Sequence, residues 1–172
     1  VTVVTPDGVQ AEGHVKVAFV TTLAAPAAPT AAECTGATDL SGYIKGGTFN
    51  PTAEQNTGDD RRLATTESFQ VLGRVTRGLD DISYVYDPQN TTPSENEAYT
   101  DLAEGQTGYL IVRWGLAATA AFAATQKVDV IPVECGAQRK QGPAENDEFA
   151  RLIVTQKLGV TGPAHVDVAI AA

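Results

Sequence analysis

The sequence predicts a mainly β fold, organised as one domain over 1–172, with a single short helix. Two runs dense in β-branched and aromatic residues, 109–114 and 128–135, are the strongest strand signals. Period-two alternation recurs in the shorter apolar runs, while much of the alanine behind the 42% hydrophobic fraction sits in loop-like stretches at 23–32 and 116–124. A chain of 172 residues buries roughly 70% of the surface its unfolded form exposes, so a genuine core is available.

Taken in order, the elements follow from local chemistry. An extended segment covers 1–14. Val15, Val17 and Phe19 alternate with Lys16, Ala18 and Val20, which predicts a strand over 15–23. Pro26 and Pro29 remove backbone donors and fix extended φ values, so 24–30 is expected as a surface connection in spite of its alanines. Gly46-Gly47 suits a tight turn or bulge within a hairpin over 43–49. Residues 50–66 are polar and without period, which predicts a long loop working by contact, ordered in an assembly and not in the isolated subunit. Strands over 67–75 and 82–86 are expected to pair as a hairpin about 78–81, with Phe69, Val71 and Val75 on one stripe.

Ser94 and Glu97 have the S-x-x-E spacing of a capping box, predicting a helix over 94–103 closed by Gly105. Ala98, Tyr99 and Leu102 provide its apolar stripe. So short a helix is marginal alone, and these three residues must dock it on the sheet. Pro132 cannot donate to a β ladder, which places that position at an edge or bulge. Two last strands are expected over 151–158 and 165–171.

The search for chemistry is negative. Twelve Lys and Arg against twenty-one Asp and Glu give a formal charge of −9, and the basic residues are dispersed, which argues against binding phosphate backbones. His14 and His165 lie at no metal-ligand spacing to each other or to Cys34 and Cys135. Asp59-Asp60 and Asp80-Asp81 read as turn residues, because the calcium-loop pattern is absent and neighbouring strand residues face opposite ways. No phosphate-cradling glycine motif occurs. We therefore expect no enzyme, no metal and no cofactor. The two distant cysteines, in a chain without a leader signal, predict reduced thiols, with a disulfide as the less favoured alternative. No apolar run approaches the ~20 residues of a membrane helix, so a soluble, unexported protein without a membrane partner is expected. The start at Val1 and the lack of methionine predict a removed initiator, with the start processed or trimmed. Trp114, Tyr84, Tyr86, Tyr99 and Tyr109 could form a stacking platform, which keeps a monomeric Ig-like or carbohydrate-binding β-domain as the alternative; a core or subunit-interface role is the simpler reading.

One set of residues carries a resemblance. Asp39-Leu40, Phe49-Asn50-Pro51, Asp59-Asp60 with Arg62, Tyr84-Val85-Tyr86, Ala98-Tyr99 and Leu102 follow one another in an order that resembles the major tail tube proteins of long-tailed phages infecting actinobacteria. The segments 105–109, Val112-Arg113-Trp114-Gly115, 127–130, 135–141 and Gln156-Lys157-Leu158 continue it, so the similarity spans about 35–172. The resemblance implies two packed antiparallel sheets, as a β-sandwich or partly open barrel, with one flanking helix. It implies hexameric rings stacked into a hollow tail tube for genome delivery. The implied partners are further copies of the chain and other tail proteins: tape measure, tail terminator and baseplate or distal tail proteins. The genomic DNA passes through without specific binding, and the implied location is the virion tail, with assembly in the host cytoplasm. Phe49, Asn50, Pro51, Gln55, Asp59, Asp60 and Arg62 become the candidate interface between subunits or rings. Six copies at −9 each would carry −54, and an acidic lumen would repel passing phosphates.

Overall fold

The structure is a computed structural model, described for residues 3–143 and 151–172. The chain runs β1 (Val15–Val20), α1 (Ala31–Thr35), β2 (Thr38–Asp39), β3 (Pro51–Asp60), β4 (Phe69–Leu79) and β5 (Ile82–Val85). It continues with α2 (Glu97–Asp101), β6 (Thr107–Trp114), β7 (Lys127–Gln141), β8 (Ile153–Val160) and β9 (His165–Ala169). Seven strands form one antiparallel sheet in the order β2-β1-β6-β7-β8-β5, with β9 also on β7. The remaining two, β3 and β4, pair among the described residues only with each other.

The large sheet curls around a shared core. Val17 and Phe19 of β1, Leu110 and Val112 of β6, Val133 and Cys135 of β7, Val154 and Leu158 of β8 and Tyr84 of β5 belong to one buried cluster. Such closure is how the predicted two-layer β architecture is realised: one sheet bends until its ends face each other. Alternate residues of the same strands, Ala18, Ile111, Val128 and Val130, are buried on the opposite face beneath Cys34 of α1, Phe122 and Ile170. The central strands are thus apolar on both faces, which is why their sequence signal is dense. Cys34 and Cys135 are free and buried in these two separate clusters, on opposite faces of the sheet. Between its two partners β7 carries Pro132, whose carbonyl accepts from the Thr161 amide at 3.1 Å. On that side the pairing passes from β9, ending at Val130, to β8, starting at Val133, so the missing N–H falls in a gap.

Several expectations are corrected. Among the described residues two short helices, α1 and α2, flank the sheet instead of one. The capping box forms at Thr30 and Glu33, where the Thr30 hydroxyl accepts from the Glu33 amide at 3.2 Å and Glu33 accepts from the Thr30 amide at 2.9 Å. The box at Ser94 and Glu97 does not form: Pro93–Glu95 is a 3-10 turn, α2 starts only at Glu97, and Asn96 spends its amide on the Asp87 and Asn90 carbonyls. Residues 43–49 make no strand beyond the isolated bridge of Ile44 to Tyr84. The predicted loop at 50–66 is chiefly strand β3; a polar strand exposed on both faces has no hydrophobic period to reveal it. Nor do the two strands around Asp80 and Asp81 pair with each other: β4 pairs with β3, and β5 with β8. In β9 the Asp167 backbone takes φ 55, its amide donates to the Asp129 carboxylate at 2.8 Å, and Val166 stays exposed, so the expected alternation breaks there.

Candidate functional site

The β3–β4 hairpin is built on Phe49 and Asn50. Phe49 packs on the core and lies 6.3 Å from the Trp114 ring. Asn50 holds the other end of the pair: its amide donates to the Asp80 carboxylate at 2.8 Å, and its carbonyl accepts from the Asp80 amide at 3.2 Å. From Pro51, opposite Leu79, the two strands leave the curled sheet. Ten residues at about 3.3 Å each carry β3 about 33 Å.

Along this length the strands are solvent-exposed except near the base and at Asp60 by the tip. A bulge interrupts the register between Gln55 and Thr57, giving β4 one extra residue. Cross-strand partners share a face, so the bulge moves the stripe. Val75 opposite Gln55 and Leu72 opposite Thr57 lie on one face; Val71 opposite Gly58 and Phe69 opposite Asp60 lie on the other. The single stripe expected for Phe69, Val71 and Val75 is therefore split, and both faces carry apolar residues. Phe69 is 56% exposed and Leu72 66%, with Leu63 fully exposed at the tip. An isolated two-stranded hairpin is marginal in water, and this one leaves Phe69, Val71, Leu72 and Val75 about half exposed, with only Leu79 at its root buried in the core.

The other predicted interface residues fall on the same hairpin. Gln55 donates to the Gly73 carbonyl at 3.2 Å and spans the bulge. Asp59 pairs with Arg61 at 3.6 Å, and Asp60 with Arg62 at 2.8 Å, closing the tip with exposed ion pairs of little energetic weight. Asp80 and Asp81 are occupied by Asn50 and, at 2.5 Å, by Arg139. The acidic pairs thus have local cationic or amide partners and do not converge on a reacting centre. Among the described residues no group of three or more metal-ligating side chains occurs, and no helix is long and apolar enough to cross a membrane.

The aromatic residues do not share a platform. Tyr84 is buried, donates to Gln156 at 2.9 Å, and burial raises its phenol pKa far above the usual value. Tyr86 stacks on Tyr99 at 4.2 Å beneath the Lys140 ammonium, and Trp114 stands elsewhere, beside Phe49. Ala98 and Leu102 of the α2 region are fully buried in the first core, and Tyr99 packs at its margin.

One structural element has no counterpart in the sequence expectations. Residues 115–126 form a strap over the second face, fastened by Arg113, which is fully buried. Its guanidinium donates to the carbonyls of Ala117, Ala120 and Ala121 and to the Gln126 side chain at 2.8–3.0 Å. Phe122 lies beneath both Arg113 and Lys16, and Lys16 also pairs with Asp39 at 2.8 Å. A period-two strand with a charge on its inward face was the available signal.

Comparison with known proteins decides the family. A family model described as phage tail tube protein matches residues 3–172. The chain belongs to the phage tail tube protein family. It is accordingly a structural component of a phage tail and not an enzyme. Among solved structures it is similar to a chain in the "Cryo-EM structure of the anti-feeding prophage (AFP) baseplate, 6-fold symmetrised". The two share 10% identity at a TM-score of 0.50, covering 94% of this chain and 97% of that one. At that identity the likeness speaks for the fold of this tail tube protein alone. No curated protein matches the sequence.

Proposed function

We propose that this tail tube protein assembles as hexameric rings that stack into the tube of a long-tailed phage infecting an actinobacterium, a conduit for genome delivery. The observation that carries this reading is the β3–β4 hairpin, with both edges unpaired among the described residues and apolar residues on both faces. Covering the exposed parts of Phe69, Val71, Leu72 and Val75 is worth on the order of 1 kcal/mol each, and a ring repeats that gain at every contact. The whole chain, 1–172, works as one tail-tube domain.

Phe49, Asn50 and Pro51 fix the root of the hairpin, while Gln55, Asp59, Asp60 and Arg62 meet a neighbouring subunit or ring. At −9 per subunit, an acidic lumen lets DNA pass without sticking. Tape measure, tail terminator and baseplate or distal tail proteins are the further partners, met during assembly in the host cytoplasm. Negative-stain microscopy of the concentrated protein tests the proposal: annular particles with six-fold symmetry, or hollow tubes, are expected. Solitary subunits at every concentration overturn it, and a lumen dominated by Lys and Arg overturns the electrostatic part.

A further inference from the structure

Strand β9 stands in a register that its own apolar pattern opposes. Lys127 faces Ala169 and Val128 faces Val168, but Val130 faces His165, so β9 carries one extra residue opposite Asp129. Continued without that bulge, the ladder would set Val166 opposite Val130 and Asp167 opposite Asp129. Cross-strand partners share a face, and Val128 and Val130 belong to the second core, so Val166 would then turn inward with Val168 and Ile170. In the structure Val166 is instead 48% exposed, and Asp167 takes φ 55, which few side chains other than glycine adopt.

The two carboxylates supply the reason. A regular ladder would place like charges directly opposite each other, where they repel. The bulge separates them, and Asp129 accepts from the Asp167 amide and from the Trp114 indole, each at 2.8 Å. Among the described residues neither carboxylate has an ion-pair partner, Lys127 included. A slip between the registers needs no stretching. Beyond β9 the Ala171 amide is anchored on the Pro29 carbonyl at 2.8 Å, and before it the Thr161 amide is held by Pro132 at 3.1 Å, so the slip only hands His165 to the connection between. We propose that β9 is a two-register switch. The charges of Asp129 and Asp167 hold it bulged with Val166 outward, and loss of either charge moves it to the regular register with Val166 against the second core. Among the described residues β9 pairs with no strand but β7, and a bulge turns an edge away from further pairing. The switch therefore sets whether this edge of the large sheet is closed or open to another strand.

The test uses the full chain with Val166→Cys, whose thiol reports which way position 166 faces. Cys34 and Cys135 are buried and stay silent to maleimide while the fold is intact. V166C should label at the rate of an exposed thiol. V166C/D129N should label at least about tenfold more slowly, because most copies then hold position 166 against the second core. V166C/D129N/D167G should return to the V166C rate, since glycine accepts a positive φ freely and keeps the bulge. If Asp129 merely braced β9, D129N would loosen the strand and speed labelling; that result overturns the inference, as does an unchanged rate or a triple variant that stays slow. Mass spectrometry showing label on Cys34 or Cys135 marks a variant that has unfolded. Should that befall D129N, V166C/D167V decides, being neutral and β-branched where the bulge needs a positive φ: slower labelling than V166C supports the switch, and equal or faster labelling overturns it. Unfolding of both also overturns it, because the regular register must be a folded state.

Discussion

Arg113 shows how much one side chain fixes in this fold. It projects from β6 to the second face, donates four hydrogen bonds to the 115–126 strap, three to backbone carbonyls and one to the Gln126 side chain, and has no carboxylate partner within hydrogen-bond reach among the described residues. Truncation would leave those acceptors unpaired beside the buried Phe122. Arg113→Ala should cost about 3 kcal/mol in urea unfolding, and Arg113→Lys should recover only part of that, because an ammonium cannot span the same fork of acceptors. An unchanged midpoint in both would mean the strap holds by apolar contact alone. Cys34 and Cys135 give a second test. Burial pushes both thiols up to about 11 from an ordinary 9.0. The folded chain then keeps protons that the unfolded chain releases, so this contribution is complete below pH 9 and is lost as pH rises toward about 11. Unfolding free energy measured across that range should fall, and replacing both cysteines with alanine should flatten the slope.

Among the elements, β6 was the most legible and is also the least tolerant. Its Gly108 faces Phe19 so closely that an added Cβ would meet the ring at 2.6 Å and the Val20 carbonyl at 2.6 Å. Gly108→Ala should therefore destabilise by about 2–3 kcal/mol in thermal or chemical unfolding, whereas an alanine at the open Gly42 should be nearly neutral by comparison. Strands β1, β6, β7 and β8 could be read from the sequence because burial on one or both faces writes apolar residues into them. β3 could not, since Thr52, Glu54, Asn56 and Asp59 are what a solvated strand shares with a loop. The hairpin expected between β4 and β5 failed for a different reason: strand propensity is local, and the choice of partner across the sheet is not. Helix α1 carried its T-x-x-E signal openly at Thr30 and Glu33, but the nearby prolines suggested a connection. The seven candidate interface residues lie at the hairpin or its root, and their polar, aperiodic surroundings over 50–66 carry no signal that separates a solvated strand from a loop.

At the scale of the whole molecule, the contrast is between a body whose cores are closed and a projection whose apolar residues are not. The curled sheet satisfies itself: Tyr84, Gln138 and Gln156 form a hydrogen-bonded set around the Leu102 carbonyl, and both faces are filled. The hairpin contributes almost nothing to those cores, so its removal should leave the body folded while ending assembly. Sedimentation velocity of the wild type beside a variant with residues 52–78 replaced by a short glycine-serine turn tests this most directly. The account predicts ring-sized or larger species for the wild type and a folded single subunit for the variant at equal concentration; a wild type that stays single, or a variant that assembles equally well, would contradict it.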